Sequence, residues 1–277
     1  MRIVITGHKG QLGRCLQQVL QGEDLLGLDL PEQDITDPVA VAGTMAGFQP
    51  EVVIHAAAMT NVDGCENNPE LAFRVNTLGT QNVALACARY GATMVHVSTN
   101  DIFDGKLGRS YYEWDTPTPQ SVYARSKAAA EFYVRTLLSQ FYIVRTAWLY
   151  GPGGNNFVTK IVAAADRLGS LRVVTDEVSA PTYAPDLAQA ISQLIHTGHY
   201  GIFHFTNSGI CSRHEWAVKI LELSGRKAIP VEAITSGEWQ RAAPPPLHAP
   251  IVNFTGAALG IVLRPWEEAL EEYLKLE

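Results

Sequence analysis

A tyrosine and a lysine four residues apart, Tyr123 and Lys127, begin an alanine-rich segment that reads SVYARSKAAAE over residues 121–131. Alanine favours helix, and side chains four residues apart lie on the same face of a helix. A phenol titrates near ~10, and an ammonium group beside it stabilises its anion, so the pair is a candidate acid/base device. A YxxxK pattern alone is more typical of a solvated amphipathic helix, and its context must decide between these interpretations.

A glycine-rich turn follows the first predicted strand. The strand RIVIT (2–6) runs into TGHKGQLG, which spaces Gly7, Gly10 and Gly13 three residues apart before a predicted helix. Glycines at such a junction let backbone N–H groups approach a pyrophosphate at the N-terminus of the helix, where the helix dipole favours negative charge. Because the pattern lies between a first strand and a first helix, it predicts a dinucleotide-binding site.

The second predicted strand bears on the choice of cofactor. Asp29 ends this strand, at about the place where an acid hydrogen-bonds the adenosine ribose and favours NAD. Lys9 and Arg14 argue the other way, because either cation is placed to neutralise a 2′-phosphate. Asp34 and Ile35 are placed to meet the adenine. The sequence therefore leaves NADPH and NADH open.

The elements around these residues alternate along the first part of the chain. Predicted strands and helices alternate from the N-terminus to Gly151, and the strands are short, apolar and rich in β-branched residues. The predicted strands lie at 2–6, within 24–30, and at 52–57, 93–99 and 141–151; the predicted helices lie at 11–20 and 69–91 and around Tyr123. Such alternation implies parallel pairing by right-handed crossovers, so the fold class is α/β with a doubly wound parallel (Rossmann) sheet covered on both faces.

The pattern of predicted strands and helices changes after Gly151. We predict a dinucleotide-binding domain over 1–150 and, over 151–277, mainly a smaller substrate-binding lobe intertwined with it. A helix and a strand near 185–207 are expected to return to the Rossmann domain. The segment RAAPPPLHAP (241–250) is read as a proline-stiffened loop, and WEEALEEYLKL as a closing helix.

Composition excludes several classes of function. The 277 residues carry a net charge of −7 without a basic run, so nucleic acid and anionic membranes are not expected partners. We expect neither a signal peptide nor a membrane-spanning segment. The four scattered cysteines show no metal-ligand spacing and indicate buried thiols of a cytoplasmic protein, and the eight dispersed histidines indicate no metal site.

Further motifs complete a pattern with the glycine-rich turn and YxxxK: HAAAMTNVDGCE (55–66), RVN ending at Asn76, and VSTN (97–100). Together they resemble the extended short-chain dehydrogenases/reductases and, more narrowly, the dTDP-4-dehydrorhamnose reductase family. The resemblance covers nearly the whole chain, including RTAWLYGPGGNNF (145–157) and SAPTYAPDLA (179–188). It implies reduction of the 4-keto group of a nucleotide-linked deoxysugar by NADPH or NADH, and a homodimer.

The resemblance also implies roles for individual residues. Tyr123 donates a proton to the developing alkoxide, Thr99 hydrogen-bonds the same oxygen, and Lys127 holds the nicotinamide ribose and lowers the pKa of Tyr123. Asn76 anchors a water that replaces the proton, and Trp148 lines the sugar pocket. The expected catalytic residues are Thr99, Tyr123 and Lys127; the expected cofactor contacts are Gly7, Lys9, Gly10, Gln11, Leu12, Asp29, Asp34, Ile35, Ala56, Ala57, Ala58, Thr60, Asn76, Ser98, Tyr123 and Lys127; the expected substrate contacts are Val62, Asn100, Asp101, Phe103, Trp148 and Asn156.

Two departures from the family pattern bear on the substrate. Members usually read STDYVF where this chain reads STNDIFDG, so Asn100 replaces an aspartate and Asp101 a tyrosine beside the reacting sugar. These exchanges are expected to alter which hydroxyls are recognised. The late Arg-Pro…Ser…Leu signature appears only as PPPLHAPIVN, without its arginine, although Arg241 lies near in sequence.

Two alternatives to the reductase stay open at this point. The first is an epimerase or dehydratase that retains its NAD, for which Asp101 and Asp104 would supply the extra acids. The second is a non-catalytic, cofactor-binding regulatory subunit, and the presence of Thr99, Tyr123 and Lys127 argues against it.

Overall fold

A six-stranded parallel sheet forms the centre of the molecule, with the strand order β2-β1-β3-β4-β5-β10. The computed structural model describes residues 1–276; Glu277, the last residue of the predicted lobe, lies outside the described residues. The strands are β1 (Arg2–Thr6), β2 (Asp24–Leu28), β3 (Val52–His55), β4 (Thr93–Thr99), β5 (Phe141–Thr146), β6 (Leu149–Tyr150), β7 (Leu171–Val174), β8 (Val178–Ser179), β9 (Thr182–Tyr183), β10 (Gly201–His204), β11 (Cys211–Ser212) and β12 (Val231–Ile234). The doubly wound parallel sheet predicted from the alternation of strands and helices is confirmed.

Helices cover both faces of this sheet. They are α1 (Gln11–Val19), α2 (Pro38–Phe48), α3 (Val62–Asn67), α4 (Pro69–Phe73), α5 (Thr80–Tyr90), α6 (Val122–Leu137), α7 (Phe157–Leu168), α8 (Ala184–Leu194), α9 (Arg213–Leu223), α10 (Thr255–Ala258) and α11 (Trp266–Leu276). On one face, α1 and α8 pack against Ile3, Ile5 and Ile54. On the other face, α2, α5 and α6 pack against Val4 and Val53. Strands buried on both faces explain the continuous apolar runs in the sequence.

The chain after Gly151 forms a second cluster of apolar side chains around the fully buried Trp216. Helices α7, α9 and α11 and the short pair β7–β12 surround it. Helix α8 and strand β10 do not belong to this cluster, because α8 packs on α1 and β10 pairs with β5 of the main sheet. The chain therefore crosses between the two clusters, and the main cleft lies between them.

Two predicted elements are interrupted in the structure. The predicted helix 69–91 consists of α4 and α5 separated by a π-helical turn over Arg74–Gly79, and Gly91 ends it in the left-handed conformation with φ 71°. The predicted strand 141–151 is broken between β5 and β6, where Trp148 adopts φ 45°. A residue with a side chain rarely adopts positive φ, and such strain concentrates at functional sites.

Candidate active site

The cleft lies at the carboxyl ends of the parallel strands, where ligands bind in open α/β sheets. It has a volume of about 780 Å³ and extends from the glycine-rich turn to the loop at 243–246. Most residues proposed from the sequence line it: Gly7, Gly10, Gln11, Leu12, Asp29, Asp34, Ile35, Ala56, Ala57, Ala58, Thr60, Val62, Ser98, Thr99, Asn100, Asp101, Tyr123, Lys127, Trp148 and Asn156. Lys9, Asn76 and Phe103 do not.

The glycine-rich turn leaves no room for side chains. Gly7 has φ 71°, and a Cβ on it would lie 2.7 Å from the backbone nitrogen of Ala57. A Cβ on Gly13 would lie 2.2 Å from the carbonyl oxygen of Gly7, so this glycine lets helix α1 pack against the turn. Gly10 caps α1 without a side-chain hydrogen bond, and the first turn of α1 lines the cleft. This cradle fits the pyrophosphate of a dinucleotide.

The carboxylate of Asp29 is fixed by backbone donors. Its Oδ2 accepts from the N–H of Lys9 at 2.9 Å, and its Oδ1 accepts from the N–H of Leu30 at 2.9 Å. The ammonium of Lys9 donates to the carbonyl of Leu30 and to Glu32. In this structure Lys9 positions Asp29 through its backbone N–H, and contact of its side chain with the cofactor stays a prediction.

Helix α6 carries Tyr123 and Lys127 from a well-fixed N-terminus. Ser121 caps the helix by accepting from the N–H of Ala124 at 3.1 Å, and Glu66 accepts from the N–H of Val122 at 2.6 Å. Such caps satisfy donors that the first turn leaves free. Tyr123 and Lys127, one turn apart, both line the cleft, as the spacing predicts.

Lys127 is 2% exposed, and its Nζ donates to the carbonyl of Val97 at 2.7 Å. Burial lowers the pKa of Lys127 to about 8, while the nearby carboxylate of Glu131 opposes this effect. The ammonium group keeps further N–H donors beyond the one that Val97 accepts. It is therefore placed to hold hydroxyl groups of a bound ligand.

The pKa of Tyr123 is raised, not lowered. Burial is the main cause and the negative charge of Asp101 adds to it, whereas a hydrogen bond with Thr99 acts in the opposite direction. Lys127 donates to Val97 instead, which corrects the expectation that it lowers the pKa of Tyr123 in the protein alone. Tyr123 is consequently a neutral phenol at neutral pH, the form that donates a proton.

The side-chain amide of Asn76 is hydrogen-bonded within the protein. Its Oδ1 accepts from the N–H of Met59 at 2.7 Å, and its Nδ2 donates to the carbonyl of Met59 and to Ser126 Oγ. Asn76 is 1% exposed and lies in the π-helical turn. Its side chain fastens this turn to helix α6, and its expected role toward the cofactor and a water stays a prediction.

Phe103 also lies outside the cleft. It is fully buried and stacks on Tyr111 with ring centroids 4.2 Å apart, in a small apolar cluster with Ile102, Ala249 and Ile251. The expectation that Phe103 touches the sugar is therefore wrong for this structure. An apolar ring directly after the turn at 100–102 packs beneath the site instead.

Asn100 and Asp101, the two positions that depart from the family pattern, have different surroundings. Asn100 is 2% exposed, and its Nδ2 donates to Ser179 Oγ at 3.2 Å and to the carbonyl of Ala249 at 3.0 Å. The N–H of Asp101 donates to Thr99 Oγ1 at 3.1 Å, which ties Asp101 to the predicted catalytic threonine. Burial raises the pKa of the Asp101 carboxyl to about 6, although Arg213 and Arg241 act in the opposite direction.

Sequence reasoning missed the charged side chains at this end of the cleft. Arg213 and Glu177 were not singled out, and Arg241 was noted only for its position near the missing arginine. All three line the cleft. The available signal was local: Arg213 directly follows Ser212, which forms a capping box with Glu215 at the start of α9.

Among residues 1–276, no cluster of three or more His, Cys, Asp or Glu side chains is arranged to hold a metal ion. Over the same residues, no helix is both long enough and apolar enough to cross a membrane. All four cysteines are buried and free of disulfides.

The chain is similar to known proteins over its whole length. The family model described as "RmlD substrate binding domain" matches residues 1–277. A dTDP-4-dehydrorhamnose reductase of Mycobacterium tuberculosis (strain CDC 1551 / Oshkosh) is 40% identical over 278 residues, covering 97% of this chain and 91% of that protein.

Two solved structures share the fold at similar identity. A dTDP-4-dehydrorhamnose reductase from Clostridium acetobutylicum has a TM-score of 0.97 at 39% identity and covers 100% of this chain and 99% of its own. A dTDP-4-dehydrorhamnose reductase from Bacillus anthracis in complex with NADP has a TM-score of 0.96 at 36% identity, with the same coverage.

Proposed function

The chain belongs to the dTDP-4-dehydrorhamnose reductase family of extended short-chain dehydrogenases/reductases, and we propose that it reduces the 4-keto group of dTDP-4-dehydrorhamnose or a related dTDP-linked deoxysugar with NADPH or NADH. The observation that carries this proposal is the placement of Thr99, Tyr123 and Lys127 in one cleft that begins at the glycine-rich turn.

In the proposed reaction, the side chains of this protein donate the proton and stabilise the developing charge. When bound, the reduced nicotinamide supplies the hydride that a keto carbon needs to become an alcohol. Tyr123 transfers its phenolic proton to the keto oxygen, and the hydroxyl of Thr99, hydrogen-bonded to Tyr123, stabilises the charge on the same oxygen. Lys127, fixed by Val97, keeps further N–H donors with which it would hold the nicotinamide ribose.

A dehydratase needs further acids beside the sugar, and the cleft supplies only one of the two considered from the sequence. Asp101 lines the cleft. Asp104 does not: its Oδ1 accepts from the Tyr111 hydroxyl at 2.9 Å and from the N–H of Lys106 at 3.1 Å. This arrangement favours the reductase over the dehydratase.

Oxidation of NADPH and NADH by purified protein, followed by absorbance, tests the proposal with dTDP-4-dehydrorhamnose as the substrate. We expect one oxidised cofactor released per sugar reduced, and dTDP alone is the control. An epimerase or dehydratase that keeps its NAD would convert the sugar without net oxidation of cofactor. A regulatory subunit would bind the cofactor and leave the sugar unchanged.

We also propose a homodimer in the cytoplasm. A shallow depression on α4, the π-helical turn and α6 presents Phe73, Leu78 and Phe132, which are 36%, 47% and 64% exposed. A second copy of the chain, related by a two-fold axis, would cover the same apolar face on both subunits. Unpaired buried cysteines suit a reducing compartment.

Sedimentation equilibrium of the wild type and of Phe132→Lys tests the dimer. The variant should be monomeric, whereas Val39→Lys, at an exposed valine outside this face, should leave the mass unchanged. A monomeric wild type would refute the dimer without affecting the reductase assignment. Retention of the protein in the cytosolic fraction of its host cells is the corresponding measurement for its compartment.

A further inference from the structure

Charged side chains of alternating sign extend from the proton donor along the sugar end of the cleft. Asp101 is close enough to Tyr123 for its charge to raise the pKa of the phenol, and Arg213 is close enough to Asp101 to lower the pKa of its carboxyl; all three line the cleft. Glu177 follows, with its two carboxylate oxygens 3.4 Å from Arg213 Nε and 4.0 Å from Arg241 Nη1. The opposite charges hold one another in the cleft before any ligand binds.

Arg213 packs over aromatic rings in this part of the cleft. Its guanidinium carbon is 3.7 Å from the ring centroid of Trp148 and 4.9 Å from that of Phe157. Trp148 is the residue with φ 45°, and it stacks on Trp216 with ring centroids 5.6 Å apart and an interplanar angle of 6°. The same guanidinium carbon lies 5.6 Å from the Trp216 ring centroid, so Arg213 contacts both indoles. Because Trp148 and Arg213 both line the cleft, a sugar ring that reaches Trp148 also meets the guanidinium.

The hydrogen-bonding capacity of Arg213 is mostly unused within the protein. Arg109, Arg145, Arg226 and Arg264 each place two nitrogens on one carboxylate at distances of 2.7–3.0 Å. Arg213 has one long contact with Glu177 at 3.4 Å and no bidentate partner among residues 1–276. A guanidinium has five N–H donors, so Arg213 keeps several for a ligand.

We propose that Arg213, held against Trp148 by Glu177, binds hydroxyl groups of the substrate sugar together with Asp101, and thereby determines which sugar is reduced. The proposal rests on the proposed function. Arg213 supplies donors and Asp101 an acceptor, a combination that suits vicinal hydroxyls. A site built to pair with particular hydroxyls rejects analogues that lack them, because its own charged groups remain unpaired.

Binding of the nucleotide diphosphate is the alternative role for Arg213. Three carboxylates, on Asp101, Glu177 and Asp63, surround the two guanidinium groups. This excess of negative charge disfavours a dianion beside Arg213 and suits a neutral sugar ring.

The test compares the affinity for dTDP-L-rhamnose with that for dTDP by calorimetry in the wild type and in Arg213→Gln. The ratio isolates the contribution of the sugar. We expect it to fall by roughly 10–100-fold in the variant, the range for a lost hydrogen bond to a charged group, with dTDP affinity changed less than about twofold. Arg213→Lys should restore little of the lost affinity ratio, because an ammonium group cannot form two parallel hydrogen bonds or stack on the indole as a guanidinium does. Arg172→Gln, at an exposed arginine outside the cleft, is the matched control.

Binding of NADPH to each variant shows that it is folded; if Arg213→Gln does not fold, Glu177→Gln, which releases Arg213 from its anchor, should lower the same ratio. An unchanged ratio in a folded variant overturns the proposal, and so does an equal loss of affinity for dTDP, which would assign Arg213 to the diphosphate. A wild type that prefers dTDP-L-rhamnose over dTDP yet reduces no keto sugar would refute the proposed function. The effect of Arg213→Gln on sugar binding could still be measured in that case.

Discussion

Ser98 and Thr99 are neighbours at the end of β4, yet their hydroxyl groups have different partners. Ser98 Oγ donates to Glu131 Oε1 at 2.6 Å, and Glu131 is also held by a buried bidentate pair with Arg145. Thr99 Oγ1 accepts from the N–H of Asp101 and interacts with Tyr123. Both residues line the cleft, but the Ser98 hydroxyl joins β4 to α6 and β5, whereas the Thr99 hydroxyl interacts with the proton donor.

This difference predicts different kinetic results for two conservative changes. Thr99→Val should lower kcat by roughly 10–100-fold, because it removes a hydroxyl beside the developing charge. It should also lower the free energy of unfolding by about 1 kcal/mol, because the N–H of Asp101 loses its acceptor. Ser98→Ala should lower the free energy of unfolding by about 1–3 kcal/mol, because it removes a donor to a buried carboxylate, and should alter kcat little. Steady-state kinetics and denaturant unfolding of both variants separate the two roles; equal kinetic effects would contradict the assignment.

Tyr123→Phe should lower turnover by roughly 10²–10⁴-fold, the range for loss of a general acid. NADPH affinity, measured by fluorescence titration, should be nearly unchanged, because the aromatic ring remains. Tyr200→Phe, at an exposed tyrosine, is the control for loss of a phenol elsewhere. Near-normal turnover of the folded Phe variant would remove Tyr123 from the proposed chemistry.

The sequence predicted the sheet because strand and helix signals there are local. Apolar β-branched runs, a glycine-rich turn and Gly91 at a helix end are recognisable without tertiary information. The break at Trp148 and the π-helical turn around Asn76 were not predictable in this way. Both depend on long-range contacts, with Trp216 for the former and with Met59 and Ser126 for the latter.

The candidate active site also has features that the sequence predicted and features that depend on tertiary contacts. The resemblance identified positions such as Thr99 and Tyr123, and the structure brings them into one cleft. It did not indicate where the side chains of Lys9 and Phe103 point, since Glu32 and Tyr111 decide this. Arg213 is 90 residues from Tyr123 in sequence number and meets the cleft through the packing of α9. The local capping box places Arg213 at the start of a helix but does not show that it lies in the cleft.

Asp29 should disfavour a 2′-phosphate, because its carboxylate lines the cleft while the ammonium of Lys9 is paired with Glu32. Replacing Asp29 with Ala should shift the preference toward NADPH by on the order of tenfold, equal to about 1.4 kcal/mol of lost repulsion. The ratio of kcat/KM for NADPH and NADH measures this. Lys9→Ala, which removes a cation outside the cleft, should shift the ratio much less. If Asp29→Ala leaves the ratio where it was, Asp29 does not meet the ribose.

Burial gives Asp101 a stability cost that depends on pH. The pKa of its carboxyl is raised to about 6 in the folded protein from a usual value of 3.8. The folded state therefore binds this proton more tightly than the unfolded state, and the resulting stabilisation is present below pH ~4 and is lost as pH rises through ~6. Above that pH the buried charge remains as a cost that a neutral amide of the same shape would not incur.

Asp101→Asn should accordingly raise the melting temperature at pH 7.5, and the difference from the wild type should shrink as the pH is lowered toward 5. Scanning calorimetry of the protein without ligands at both pH values measures this, and Asp24→Asn, at an exposed carboxylate, is the control. The same change should reduce the sugar-dependent affinity, because the amide is a weaker acceptor than the carboxylate. Greater stability with weaker sugar binding is the trade-off expected of a charge retained for recognition. If the amide lowers the melting temperature at pH 7.5, the attraction of Arg213 and Arg241 outweighs burial, and Asp101 stabilises the fold.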